Sequence, residues 1–190
     1  MLGPEDQLRK PGSCGRAVLN VETRVVNDDM QDVTPGEVGE IVHRSPHLML
    51  GYFHDDERTK ASFEGDWFHS GDLGLIDEEG YITVVDRKKD MINVSGFNVY
   101  PNEVEGVAVT HPGILEAAAV AKADEKSGEV VALFVVRKDP SLTEEDVIEH
   151  CRTALTGYKI PRHVYFRKEL PKTNVGKILR RELRDEAQKL

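Results

Sequence analysis

Residues 86–105 read DRKKDMINVSGFNVYPNEVE and join two regions of different character. The residues just before them, 81–85, predict a strand, which runs into five consecutive charged residues. Further on, Pro101 and the acidic residues after it predict a helix. A charged junction of this kind is typical of a hinge, because a solvated backbone costs little to reorient. On these residues alone, an exposed hairpin corner is the commoner explanation.

The composition indicates a globular protein with a core. The chain has 190 residues, of which 39% are apolar. Its formal net charge of −9 argues against a dedicated nucleic-acid-binding protein. The charge is uneven, because residues 159–190 contain 10 lysines and arginines against 4 acidic residues. This basic C-terminal segment therefore suits an anionic ligand or an acidic neighbouring surface.

The sequence carries no pattern for export, a membrane span or a metal site. The N-terminus lacks a basic segment followed by an apolar one, and no apolar run reaches the roughly 20 residues of a span. Cys14 and Cys151 lie far apart, which predicts a reduced, cytoplasmic setting in which any membrane contact is peripheral. The seven histidines show no zinc-ligand spacing, so no metal site is expected.

The two regions predict different secondary structure. Residues 1–12 predict an extended or disordered lead-in. The first region is rich in strand patterns, and the second alternates helices and strands. Strands are predicted over 17–26, 39–43, 73–76, 81–85, 114–121, 130–137 and 163–167. Helices are predicted over 55–63, 101–110, 141–155 (with Ser141 or Thr143 as the N-cap) and 178–189.

Three motifs carry a resemblance to a known family. They are WFHSGDL at 67–73, the segment 86–105, and LPKTNVGKI at 170–178. In this order and spacing they resemble the C-terminal third of adenylate-forming acyl-CoA ligases, and the chain is most similar to the bacterial long-chain fatty acid CoA ligases. The shorter stretches 36–40 and 50–52 also fit the family pattern and are interpreted as structural.

The resemblance implies an α+β fold in two parts. Residues 13–88 would form the β-rich closing subdomain of a large N-terminal adenylation domain. Residues 89–190 would form a small, mobile C-terminal domain with a three-stranded sheet flanked by helices. Such an enzyme activates a fatty acid with ATP to acyl-AMP and then forms the thioester with CoA. Its Mg²⁺ and most of its ATP contacts would lie in the N-terminal domain.

The resemblance also assigns roles to single residues. Lys177 would bond the substrate carboxylate and the α-phosphate of ATP, where a cation offsets the repulsion between two anions. Asp72 would accept hydrogen bonds from the ribose hydroxyls, and Arg87 would contact the ribose or the phosphates. Without the resemblance, Lys177 fits a surface lysine, Asp72 a turn residue and Arg87 a solvated charge equally well or better.

Three further positions concern the second half-reaction. Lys89 would be the hinge, where a change of backbone torsion swings the C-terminal domain between the two reactions. Ser95 and Gly96 would line the channel by which the thiol of CoA reaches the acyl-adenylate, because a glycine admits a ligand that a side chain would obstruct. On local sequence, Gly96 fits an ordinary turn glycine equally well.

The resemblance further predicts that this chain is an inactive fragment of such an enzyme, whose partner is its own N-terminal domain. Apolar surface and strand edges that this domain covers would then drive self-association of the fragment. The alternative is a freestanding binding or regulatory module of the same fold without activity. Asp72, Arg87 and Lys177 together favour the enzyme, since a binding module has no evident need for all three.

Overall fold

The computed structural model describes residues 2–190, and the chain divides into two compact units with the boundary between Lys89 and Asp90. The first unit contains two helices and five strands: α1 (Pro4–Arg9), β1 (Glu22–Val26), β2 (Gly39–Arg44), α2 (Asp56–Ala61), β3 (Phe63–Glu64), β4 (Trp67–Ile76) and β5 (Ile82–Arg87). The strands form one antiparallel sheet in the order β1-β2-β4-β3, with β5 also paired to β4. Its small core is built around Val25, Ile41 and Ile82.

The start of the chain differs from the predicted extended lead-in, apart from Met1, which lies outside the described residues. Pro4 opens α1, where its fixed backbone torsion suits the first turn of a helix. Basic side chains at the end of this helix bind the turn between β4 and β5, with Lys10 Nζ 2.6 Å from Asp77 and Arg9 paired with Glu79. These partners lie 70 and 67 residues away, so local sequence could not reveal them.

The second unit is built around a sheet with both parallel and antiparallel strand pairs. Its elements are β6 (Ile92–Val94), β7 (Phe97–Val99), α3 (Pro101–Ala108), β8 (Ile114–Asp124), β9 (Gly128–Arg137), α4 (Glu144–Arg152), β10 (His163–Arg167) and α5 (Arg180–Ala187). The strand β9 pairs antiparallel with β8 and parallel with β10. The sheet has five strands, so the prediction of a three-stranded sheet is wrong in the number of strands. The β6–β7 hairpin joins β9 through the single pairing of Val94 with Gly128, which makes five strands.

The apolar run of β9 explains why helices cover both faces of this sheet. All residues of 130–136 are buried, as in a strand that is covered on both sides. Val131, Leu133 and Val135 pack on the face that α3 and α4 cover. Ala132 and Phe134 pack on the other face, under α5. The predicted α+β class, with helices that flank the second sheet, is confirmed.

Side chains cap the starts of two helices, and of the two candidates predicted for α4 the cap is Thr143. Thr143 caps α4 in a capping box with Asp146, and Asp55 caps α2 by accepting the Arg58 N–H at 3.0 Å. Residues 2–190 contain no helix long and apolar enough to cross a membrane.

Candidate active site

Asp72 and Arg87 lie side by side on neighbouring strands. They are directly paired across β4 and β5, and Arg87 Nε donates to Asp72 Oδ1 at 2.6 Å. Both side chains remain accessible, at 34% for Asp72 and 53% for Arg87. The structure thus brings together a carboxylate and a guanidinium that the sequence motifs place 15 residues apart.

The backbone on either side of the Asp72 carboxylate is fixed. Gly71 has a φ of +71°, in the left-handed region that glycine tolerates. Its N–H donates to Glu40 Oε1 at 3.2 Å. The Asp72 N–H donates to Ser70 Oγ at 3.0 Å, and that hydroxyl donates to the Ile41 carbonyl at 2.6 Å. The Asp72 side chain is therefore presented from a rigid bend of β4.

Glu40 is a buried carboxylate behind this bend whose role the sequence reasoning missed. It is only 8% exposed. Besides Gly71, it accepts a hydrogen bond from Lys88 Nζ at 3.1 Å and lies 3.1 Å from His69 Nδ1. Lys88 also donates to Asp28 at 2.8 Å. The stretch 36–40, interpreted as structural, thus supplies the group that joins the Asp72 bend to the end of β5.

The charge of Glu40 is stabilised despite its burial. Burial alone would raise the pKa of the carboxyl group, but the hydrogen bonds from His69 and Lys88 outweigh it, so its pKa lies below the usual value of 4.5. A lowered pKa in the folded state stabilises the fold above the pKa of the unfolded chain. This contribution is lost as the pH falls through the lower, folded value.

We expect Glu40→Gln to destabilise the first unit at pH 7 by about 1–3 kcal/mol, because two charge-assisted hydrogen bonds are weakened. The difference from the unaltered chain should shrink in acid, where Glu40 itself becomes protonated. Urea unfolding followed by the fluorescence of Trp67, the single tryptophan, measures it. The exposed Glu78→Gln is the matched control. A stability difference that is equal at pH 7 and in acid contradicts the proposed charge effect.

Lys177 ends a tight turn just before α5. Gly176, with a φ of +80°, donates its N–H to the Thr173 carbonyl at 2.9 Å, and the Thr173 N–H donates to the Lys177 carbonyl at 2.8 Å. The Lys177 N–H in turn donates to Thr173 Oγ1 at 3.1 Å. Among residues 2–190, the salt bridges nearest in sequence are made by Lys172 and Arg180 and not by Lys177, whose side chain is exposed. A well-defined backbone thus presents an available cation.

Ser95 and Gly96 form the two-residue turn of the β6–β7 hairpin. Both have positive φ angles, +53° and +87°, as the favoured hairpin turns require. The turn is held by the Gly96 N–H, which donates to Asn93 Oδ1 at 2.9 Å, and by the Ser95 N–H, which donates to the Ser127 carbonyl at 2.8 Å. A Cβ atom added at Gly96 would meet nothing within 4 Å. The turn is open to an approaching ligand.

Lys89 lies at the boundary between the two units. It is exposed and belongs to the 3-10 helix Lys88–Asp90, which follows β5. Of the predicted site residues, Asp72, Arg87 and Lys89 belong to the first unit, whereas Ser95, Gly96 and Lys177 belong to the second. Their assigned roles stay predictions.

The two cysteines are free and differ in exposure. Cys14 is exposed, whereas Cys151 is buried in the second unit, where burial raises its pKa to about 11. Among residues 2–190, no group of three or more histidine, cysteine or acidic side chains is arranged to hold a metal ion.

Two family models match the chain. The AMP-binding enzyme model matches residues 1–53, and the AMP-binding enzyme C-terminal domain model matches residues 103–177. Lys177 is the last residue of the second match, and the other predicted site residues lie between the two.

Curated relatives match almost the whole chain. It is 54% identical over 186 residues to a long-chain fatty acid CoA ligase of Escherichia coli O157:H7, a match that covers 98% of this chain and 33% of that protein. A long-chain fatty acid CoA ligase of Mycobacterium tuberculosis CDC 1551 is 42% identical over 186 residues, and the match covers 37% of that protein. The chain thus spans about a third of the length of the curated relatives it matches.

Solved structures agree with this match. The o-succinylbenzoate CoA synthetase of Bacillus subtilis, in complex with its acyl-adenylate, has a TM-score of 0.88 at 36% identity over 97% of this chain and 38% of its own. ATP-bound MatB from Rhodopseudomonas palustris has a TM-score of 0.89 at 35% identity, over 97% and 37%. The chain belongs to the AMP-binding enzymes, and its residues 103–177 match the C-terminal domain of that family.

Proposed function

We propose that this chain is the C-terminal third of a long-chain fatty acid CoA ligase. The carboxylate of the fatty acid attacks the α-phosphorus of ATP, and pyrophosphate leaves. The thiol of CoA then attacks the acyl carbonyl, AMP leaves, and the thiol proton passes to solvent. The observation that carries the proposal is the 54% identity over 98% of the chain, combined with the available Lys177 cation and the exposed Asp72–Arg87 pair.

Lys177 acts in the first step. Its ammonium group bonds the attacking carboxylate and the α-phosphate, which repel each other, and it stabilises the charge that develops in the transition state. The turn at 173–177 supports this role, because its closed hydrogen bonds define the backbone while the side chain remains exposed. The rest of the phosphate contacts would come from residues outside this chain.

Asp72 and Arg87 bind the nucleotide. A carboxylate can accept hydrogen bonds from both ribose hydroxyls, because its two oxygens offer several acceptor positions. The Arg87 guanidinium holds the Asp72 carboxylate at 2.6 Å and offers further donors to the ribose or the phosphates. The rigid bend of β4 favours this role, because a preset carboxylate loses little freedom when the nucleotide binds.

Lys89, Ser95 and Gly96 serve the second step. The 3-10 turn that contains the exposed Lys89 separates two units with independent cores, as a pivot requires. The open turn of Ser95 and Gly96 leaves room for the extended pantetheine arm of CoA. The second unit is the mobile domain.

The remaining features of the enzyme are part of the same proposal. Mg²⁺ accompanies ATP and is held mainly by the N-terminal adenylation domain. The two free cysteines suit the cytoplasm, and a peripheral contact with the inner membrane suits a fatty acid substrate.

A chimera tests the proposal. The chain replaces the matching residues of the Escherichia coli O157:H7 relative, and ATP–pyrophosphate exchange with palmitate is measured for this chimera and for the isolated chain. Exchange by the chimera but not by the isolated chain supports the ligase assignment. A folded chimera without exchange overturns it in favour of a binding module of the same fold.

We also expect the isolated chain to self-associate through the first unit. Leu19, Leu50 and Phe53 are at least 85% exposed there, and such apolar side chains favour association in water. Light scattering should show oligomers that Leu50→Asp and Phe53→Asp reduce. Leu190→Asp, which changes an exposed leucine of the second unit, is the control. A monodisperse monomer contradicts this expectation.

A further inference from the structure

Two arginines of α5, Arg180 and Arg184, hold this helix to distant parts of the second unit. The Arg180 guanidinium binds both oxygens of Glu105 in α3, through its NH2 group at 2.7 Å and 2.9 Å. Both side chains are largely buried, at 20% and 14% exposure. The Glu105 carboxylate also accepts the Ala119 N–H of β8 at 2.8 Å. The first residue of α5 is thus fixed to a helix and a strand at once.

Arg184 makes the second attachment. It lies four residues after Arg180 and therefore on the same side of the helix. Its guanidinium donates to Asp90 Oδ1 at 2.9 Å, and the Asp90 side chain is only 12% exposed. Asp90 is the first residue of the second unit and follows Lys89 directly. The helix α5, which begins three residues after Lys177, is therefore bound through one of its faces to Asp90, the first residue of the second unit.

The far end of α5 is held independently of these arginines. Leu183 and Ala187 are fully buried against β8 and β9. Lys122 Nζ donates to the Ala187 carbonyl at 2.7 Å, and Gln188 Nε2 donates to the Ala121 carbonyl at 3.1 Å. The helix should therefore stay folded and docked when either arginine is replaced, so that a substitution there tests position and not folding.

We infer that Arg180 and Arg184 are positioning residues, which fix the Lys177 turn and the hinge side of the second unit to one rigid body. This inference rests on the proposed roles of Lys177 and Lys89. An exposed lysine on a turn of its own is useful in catalysis only if a rotation at the hinge carries it to a defined place. The two ion pairs supply that connection. A displacement of about 1 Å at a reacting group can cost about 100-fold in rate.

Hydrogen exchange on the isolated chain tests the structural half of this inference. Arg180→Gln and Arg184→Gln should speed exchange of the amides of 173–179 while the core amides of β9 keep their protection. Arg181→Gln is the matched control, because this neighbouring arginine is exposed. If the amides of 173–179 exchange at the same rate in both variants as in Arg181→Gln, the two arginines do not hold the Lys177 turn in place.

The chimera tests the functional half. Arg180→Gln and Arg184→Gln should lower kcat for acyl-adenylate formation by about 10- to 100-fold, with KM for the fatty acid unchanged. Arg180→Lys should lose less than Arg180→Gln, since it keeps a positive charge that can pair with Glu105. The double variant Arg184→Gln with Asp90→Asn should lose no more than Arg184→Gln alone, because both changes remove the same pair.

The outcomes separate this inference from the proposed function. If Lys177→Ala slows the chimera but Arg180→Gln and Arg184→Gln behave like Arg181→Gln, the positioning role is wrong and the ligase assignment stands. If the chimera with the unaltered chain folds but is inactive, the ligase assignment fails, the inferred catalytic role fails with it, and hydrogen exchange alone decides the anchoring.

Discussion

Lys177→Ala in the chimera is expected to lower ATP–pyrophosphate exchange by about 10²- to 10³-fold, the usual effect of removing one group that stabilises charge in a transition state. Thioester formation from supplied acyl-AMP should remain largely intact, because the anionic attack on phosphorus is already complete in that substrate. The two half-reactions are measured separately, by pyrophosphate exchange and by release of AMP in the presence of CoA.

Controls distinguish the position of Lys177 from its charge. Lys168→Ala removes an exposed lysine from the same basic C-terminal segment and should leave both half-reactions unchanged. Lys177→Arg keeps the charge with a different shape and should recover only part of the rate. Equal loss of both half-reactions in Lys177→Ala contradicts the role, because it indicates general damage to the second unit.

Gly96→Leu should have the opposite effect and slow thioester formation by about 10-fold or more, with adenylation unchanged. A branched side chain at this turn would project into the space through which the arm of CoA approaches. The same change also strains the backbone, because a φ of +87° costs a leucine about 1–2 kcal/mol.

Gly96→Asn separates obstruction from strain. Asparagine tolerates the left-handed region better than most residues, so that this variant adds a side chain with less strain. Slow thioester formation in both variants supports a channel at Gly96. If thioester formation is slow only in Gly96→Leu, backbone strain is the cause. If it is unchanged in both variants, Gly96 does not line the channel.

Local sequence predicted most of the helices and strands because their determinants are local. The capping box of Thr143 and Asp146, the helix that begins at Pro101 and the apolar run of β9 each lie within one short segment. The β6–β7 hairpin was missed as part of the sheet. Its strands have three residues each, and one pairing with Gly128 attaches them, which no periodicity reveals.

The candidate site was predicted only in its separate residues. Asp72 and Arg87 were each singled out by motif, but their contact depends on the register of β4 and β5. Glu40 was missed as a supporting group, because its partners Gly71 and Lys88 lie 31 and 48 residues away. The arginines of α5 were visible as charges, whereas their partners Glu105 and Asp90 depend on how the helix docks.

The contrast between the two cysteines makes the native chain suitable for selective labelling. A maleimide dye should modify Cys14, which is exposed, and leave Cys151, whose buried thiol remains protonated at neutral pH. One fluorophore is then confined to the first unit without removal of any native residue. A second dye at an introduced cysteine in the other unit would give a distance pair for single-molecule energy transfer.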